Sequence, residues 1–208
     1  MLNQNIYQDE KESGFFRRRE DSLNFMLGLA FVGTSLIFLI IVGVYINLSL
    51  KNVEIWKTFS LPKIFWVSTI MIALSSYTLH IAKKALEKDD FKQYRYALGS
   101  TFLLGISFCV MQILGWQTLV SINILFKNSL AGSFLYVMSG LHLLHIIGGL
   151  VFLGIIFKEA LKYKNYVDAF VYSVNPPNQL KIKLIIRYWH FVDILWIVLF
   201  LFLVFQHS

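Results

Sequence analysis

Of the twelve Asp and Glu residues in this chain, Asp193 alone falls deep inside an apolar run. It lies in Tyr188-Trp189-His190-Phe191-Val192-Asp193, at the head of a stretch that stays apolar to Phe205. A second apolar stretch carries Gly140-Leu141-His142-Leu143-Leu144-His145, followed by Gly148-Gly149. A carboxyl group among imidazoles is a donor and acceptor set suited to moving protons, and imidazoles also ligate metals and haem. Ionisable groups are costly in hydrocarbon and turn toward protein, so both stretches mark places where helices meet. His190 and Asp193 stand three residues apart on one helix, within reach of each other.

The elements that position these residues follow from composition. The 208 residues are 57% hydrophobic and 16% aromatic, with a mean hydropathy of +0.62, far from a soluble-domain balance. Apolar stretches long enough to cross roughly 30 Å of hydrocarbon run over 24–46, 64–82, 97–120, 133–157 and 184–205. The expectation is an all-α, polytopic membrane bundle of five transmembrane helices, a single domain over 24–208 behind a tail, 1–23. That tail holds five acids and four bases without an apolar core, which is not the pattern of a cleavable signal peptide. Small residues recur in the spans, among them Gly28, Gly33, Gly99, Gly105, Gly148 and Gly149, and let helices approach closely in lipid.

Charge sets the orientation. The tail carries four basic residues, the loop after the second span five and the segment from Lys158 to Arg187 six; the other side has Lys51, Lys57, Lys63 and Lys127. Fifteen against four places the amino terminus in the cytoplasm and the carboxyl terminus outside. The excess of positive charge is therefore topological and does not imply a nucleic-acid partner. The single cysteine, Cys109, excludes an intrachain disulfide and a multi-cysteine metal site, and reads as a buried structural thiol. No phosphate-binding glycine loop and no nucleophile elbow occurs, so an ATPase or hydrolase has no residues to stand on.

With the fifth span entering near Leu184, His190 lies roughly 9 Å and Asp193 roughly 13 Å into the hydrocarbon. The fourth span runs the other way, which puts His145 about 12 Å from the same edge and His142 one turn further out. His142, His145, His190 and Asp193 form a polar set with two readings. One is a proton relay or a metal or haem site. The other, preferred here, is a hydrogen-bonded interlock between the fourth and fifth spans, because an intramembrane charge needs partners whatever the protein does. Haem ligation wants imidazole pairs across facing helices, whereas His142 and His145 supply one level of one helix. No catalytic residue and no metal ligand is assigned. His80, near the cytoplasmic end of the second span, suits a capping or headgroup role, as do Lys181 and Lys183. The last two follow Pro176-Pro177, which the sequence reads as a helix break. Trp189 and Trp196 share a face with Asp193 and read as packing or belt residues, as do Trp56, Trp66 and Trp116. Gln112 and Gln117 read as interhelical hydrogen-bonding groups, and His207 carries no signal.

These motifs resemble subunit III of the haem-copper terminal oxidases. The stretch from Ser133 to Gly148, with Ser139-Gly140 and His142-x-x-His145-Ile146, is similar to that family's helix of small residues followed by paired histidines. Tyr188-Trp189-His190-Phe191-Val192-Asp193-Ile194-Leu195-Trp196 resembles its most recognisable signature, and Leu74-Ser75-Ser76-Tyr77-Thr78-Leu79-His80-Ile81-Ala82 its serine and histidine helix. Leu104-Gly105-Ile106-Ser107-Phe108 and Gln112 follow in the family's order, so the likeness covers roughly 61–205. The chain looks like the five-helix form, which lacks the first two of seven helices. It departs twice. The first span has no carboxylate around Gly33-Thr34-Ser35-Leu36, and Gly115 stands where the family's third helix has a Glu.

The resemblance implies a non-catalytic subunit of the bacterial cytoplasmic membrane that packs on catalytic subunit I, with subunit II and a larger respiratory supercomplex as candidate further partners. It implies phospholipid in a cleft between helix groups, support for proton uptake and turnover stability, and haem and copper held by the partners and none by this chain. Competing readings are the related accessory subunit of nitric oxide reductases and a proton-coupled transporter using Asp193 with His145. The transporter reading lacks the repeats and broken spans that such proteins show.

Overall fold

The computed structural model describes residues 2–51, 59–126, 129–163 and 165–207, with side chains described from Arg18 to Gln206 within those stretches. Six helices account for nearly all of them: α1 Leu2–Lys51, α2 Ile64–Glu87, α3 Phe91–Ser121, α4 Leu130–Lys162, α5 Tyr166–Val174 and α6 Pro176–His207. All but α5 contain windows long and apolar enough to cross a membrane. The chain is thus an all-helical integral membrane protein with five membrane-spanning helices, as the apolar runs predict. Trp56, Lys57 and Lys127 lie outside the described residues, as does the side chain of His207.

Helix ends differ from the apolar runs for local reasons. Helix α1 continues back to Leu2 through the polar stretch 1–23, where no proline interrupts a helix that lengthens one hydrogen bond per residue. Pro176-Pro177 open α6 rather than break it, eight residues before the expected start near Leu184. The first-turn N–H groups of a helix have no acceptor, so prolines lose nothing there, and the backbone N–H groups of Asn178 and Gln179 bond the Asn175 carbonyl at 3.0 and 3.1 Å. Between α2 and α3 the chain reverses through Asp89 at φ 55°, after which Asp90 caps α3 by accepting from the Gln93 N–H at 3.0 Å. Ser129 caps α4 in the same way, accepting from the Gly132 N–H at 3.1 Å.

Helices α2, α3, α4 and α6 close a ring in which each packs on the next and α6 returns to α2. Helix α1 stands outside that ring, with its principal contacts on α6 and α4. Only 6% of its most apolar window is buried, against 28–39% in the other spans. The ring is therefore the core, and α1 is a flanking post.

Candidate functional site

The ring interior is cross-linked by indole N–H groups. A buried Trp needs an acceptor for its one polar group, and each of three finds a hydroxyl on a neighbouring helix. Trp189 of α6 donates to Ser75 Oγ of α2 at 3.1 Å, Trp196 of α6 to Thr69 Oγ1 of α2 at 3.0 Å, and Trp116 of α3 to Ser139 Oγ of α4 at 3.0 Å. Trp189 also occupies the gap left by two glycines. A Cβ added at Gly105 of α3 would lie 2.9 Å from its Cη2, and one added at Gly149 of α4 would lie 3.2 Å from its Cε3. One side chain of α6 thus touches every other helix of the ring, and the absence of a Cβ at those two glycines makes room for it.

The four members of the polar set separate. His142 is fully buried, stacked on Trp196 at 4.9 Å with Phe108 edge-on at 5.8 Å, and neither ring nitrogen has a hydrogen-bond partner. His145 points away from the ring toward α1. Its Nδ1 lies 2.7 Å from the Leu141 carbonyl and its Nε2 3.3 Å from Thr34 Oγ1. A carbonyl only accepts, so in the neutral ring Nδ1 carries the proton and Nε2 accepts from the Thr34 hydroxyl. His190 turns toward α2, with Nδ1 2.7 Å from Ser76 Oγ. Asp193 is 2% exposed and neither carboxyl oxygen makes a hydrogen bond. Ser76 lies near enough to that carboxyl to interact with it, without hydrogen-bond geometry.

The mutual interlock expected among His142, His145, His190 and Asp193 does not form: His145 and His190 bond to hydroxyls on α1 and α2, while His142 and Asp193 have no hydrogen-bond partner among the described residues. Reach along a helix permits His190 to meet Asp193, but the α2 seam gives His190 a hydrogen-bond partner in Ser76. Three serines of α2 supply partners across the ring: Ser75 for Trp189, Ser76 for His190 and Ser68 for Gln112. Ser68 accepts from Gln112 Nε2 at 3.0 Å, while Gln112 Oε1 is unpaired. The requirement of each buried indole for an acceptor was the signal that could have found Ser75 and Thr69.

His80 is exposed on α2, one turn beyond Ser76. Lys181 pairs with Glu159 of α4 at 3.4 Å and Lys183 with Glu20 of α1 at 3.5 Å, both near the same end of the bundle. Arg187 donates to Asn24 Oδ1 at 2.8 Å and so joins α6 to α1 there. Gly115, where a Glu was expected from the resemblance, is closed over by Phe65 of α2, 2.9 Å from any added Cβ. Cys109 is partly buried and unpaired.

Between α1 and the ring opens a cleft of about 540 Å³. Its walls are Met26 and Leu27 of α1, Gly148 and Phe152 of α4, and Leu184 and Tyr188 of α6, with Lys181 at one end. The lining is overwhelmingly apolar and is drawn from three of the membrane-spanning helices. Among the described residues no group of three or more His, Cys, Asp or Glu is placed to hold a metal ion.

A ring of apolar helices tied by indole-to-hydroxyl bonds, with a flanking helix and a lateral cleft, defines an integral membrane protein whose polar chemistry is turned inward. The chain belongs to the cytochrome c oxidase subunit III family, whose model matches residues 19–208. It is 31% identical over 134 residues to a probable cytochrome c oxidase subunit 3 of Mycobacterium tuberculosis, covering 64% of this chain and 61% of that one. It is 32% identical over 146 residues to the corresponding probable subunit of Rickettsia conorii, covering 70% and 48%. A cytochrome bo(3) ubiquinol oxidase subunit 3 of Buchnera aphidicola is 27% identical over 181 residues, covering 86% and 90%. The matched stretch thus spans less than two thirds of the mycobacterial and rickettsial chains.

Proposed function

We propose that this chain is the non-catalytic third subunit of a respiratory haem-copper oxidase in a bacterial cytoplasmic membrane. It packs on the catalytic subunit beside subunit II, with its amino terminus in the cytoplasm. Haem and copper reside in the partners. The imidazoles of the paired-histidine helix do not fit axial ligation, since both nitrogens of His145 are engaged and the His142 ring is stacked on Trp196. The cleft between α1 and the ring is the observation that carries the reading. Its apolar walls suit acyl chains, and Lys181 at its end suits a phosphate headgroup. Phospholipid held there links the subunit to the durability of the complex over many turnovers. The seam of His80, His190, Ser76 and Asp193 supports proton uptake, a role favoured by the 2.7 Å contact between His190 and Ser76 beside a buried carboxyl group.

The test uses the purified complex with Gly148→Leu, which projects a side chain into the cleft where a Cβ meets nothing nearer than Tyr188 Oη at 3.7 Å. Native mass spectrometry should find fewer retained phospholipids, and oxygen consumption should start at the normal rate and decay sooner. Asp193→Asn should leave that decay unchanged and slow proton uptake at high pH. Normal lipid retention with normal durability in Gly148→Leu would overturn the lipid role, and co-purification with no haem-containing partner would overturn the oxidase reading itself.

A further inference from the structure

The connection between the last two spans contains α5, which is too short to cross a bilayer and carries the wrong surface for water. At about 100° per residue, Tyr166, Val167, Phe170, Val171 and Val174 fall in one arc of roughly 140°. All five are exposed, from 42% at Phe170 to 69% at Val167. Asp168 lies beyond the arc's edge, exposed, and accepts a hydrogen bond from Asn165 Nδ2 at 3.2 Å.

The roll of the helix is fixed. Ala169 and Ser173 are buried against the bundle, the Tyr172 hydroxyl donates to the Glu159 carboxylate, and Asn178 Nδ2 donates to the Tyr172 carbonyl at 3.1 Å. Tyr166 meets Phe91 of α3 edge to face at 5.4 Å. The arc therefore points outward by construction. Its position is fixed as well, because residues 163–165 join α5 to the end of α4 and Asn175 alone joins it to the start of α6. Both neighbours are spans, so α5 lies beside the end of the bundle at which α4 leaves the bilayer and α6 enters it. The exposed cations Lys158 and Lys162 stand at the same end of α4, complementary to anionic headgroups.

We propose that α5 is an interfacial helix, seated with its apolar arc in the boundary between headgroups and acyl chains of the adjoining phospholipid leaflet and Asp168 toward water. A short helix with an apolar arc beside basic residues is the form that lies in a membrane surface. The proposal does not depend on the oxidase reading.

The test places single cysteines at Val167, Val171 and Asp168 in a Cys109→Ala background. The full chain, in the complex with which it purifies, is spin-labelled and reconstituted in vesicles of phosphatidylethanolamine and phosphatidylglycerol. Collision with oxygen, which concentrates in lipid, is compared with collision with a water-soluble nickel chelate. Labels at 167 and 171 should favour oxygen several-fold and the label at 168 the chelate, with the contrast reduced in vesicles lacking phosphatidylglycerol. A chelate preference at 171 would put the arc in water and overturn the proposal. Immobilised labels at 167 and 171 shielded from both reagents would mean that a protein partner covers the arc, and would overturn it equally.

Discussion

Adding one methyl group at Gly105 tests whether Trp189 is the wedge that holds the ring together. The new Cβ would sit 2.9 Å from Leu150 Cδ2 and from Trp189 Cη2, and 3.0 Å from Trp189 Cζ2, where ordinary contact begins at 3.4 Å. About half an ångström must be absorbed. The leucine methyl group moves easily. The indole does not, since it is 1% exposed, bonded to Ser75 through Nε1 and backed on its other edge by Gly149. Overpacking of this kind costs about 1–3 kcal/mol, while replacing Gly by Ala inside a helix returns up to about 1 kcal/mol. The matching control is Gly140→Ala, whose Cβ finds nothing nearer than Trp116 at 3.9 Å and so keeps the propensity gain without the clash. The two variants should differ by about 2 kcal/mol, a factor of roughly 30 in the unfolding equilibrium. Unfolding in mixed micelles of dodecyl sulfate and a mild detergent, followed by tryptophan fluorescence, measures the difference. Trp189→Phe shortens the ring that the methyl group strikes, so combining it with Gly105→Ala should cost less than the sum of the two single changes. Equal midpoints for Gly105→Ala and Gly140→Ala, or strict additivity in the double variant, would refute the wedge.

Two further outcomes are expected. Burial, together with the hydrogen bond to Glu159, raises the Tyr172 phenol above the ordinary tyrosine range. Above pH about 10 the unfolded chain therefore releases a proton that the folded chain keeps, and stability falls as pH rises; Tyr172→Phe should flatten that part of a plot of unfolding midpoint against pH, and an unchanged slope would count against the shift. The division of fifteen basic residues against four across five spans predicts that a reporter active only outside the cytoplasm works when fused after Ser208 and fails when inserted within 158–183; the reverse pattern would invert the topology.

The five spans were legible because roughly 20 apolar residues in succession have few other uses. Their ends were not, because helix continues wherever polar residues and first-turn prolines permit, as in 2–23 of α1 and at Pro176-Pro177 of α6. Neighbours were illegible for a different reason. Lipid is as apolar as leucine, so hydrophobic patterning does not distinguish a face on α4 from a face on hydrocarbon. The glycine positions came closest, since Gly105 and Gly149 do mark close approaches between helices, yet Gly28, Gly33 and Gly43 of α1 look alike in sequence and meet nothing within 4 Å among the described residues. Asp193 and His142 are buried within the ring while His145 and His190 turn to neighbouring helices, and where a partner exists it depends on which helix lies across the seam. Thr34 and Ser76 become partners only once α1 meets α4 and α2 meets α6.

The position of α1 outside the ring also sets an order of assembly. Among the five spans described it is the first to leave the ribosome, and the helices it leans on, α4 and α6, are the last two of the five. At about 5–20 residues per second, the roughly 80 residues between Lys51 and the start of α4 keep it waiting for seconds in the bilayer with no protein neighbour of its own. Lipid is what surrounds it meanwhile. The contacts that then close α1 on α4 and α6 are those of Thr34 with His145, Asn24 with Arg187 and Glu20 with Lys183, so α1 docks only after both of these late spans have arrived.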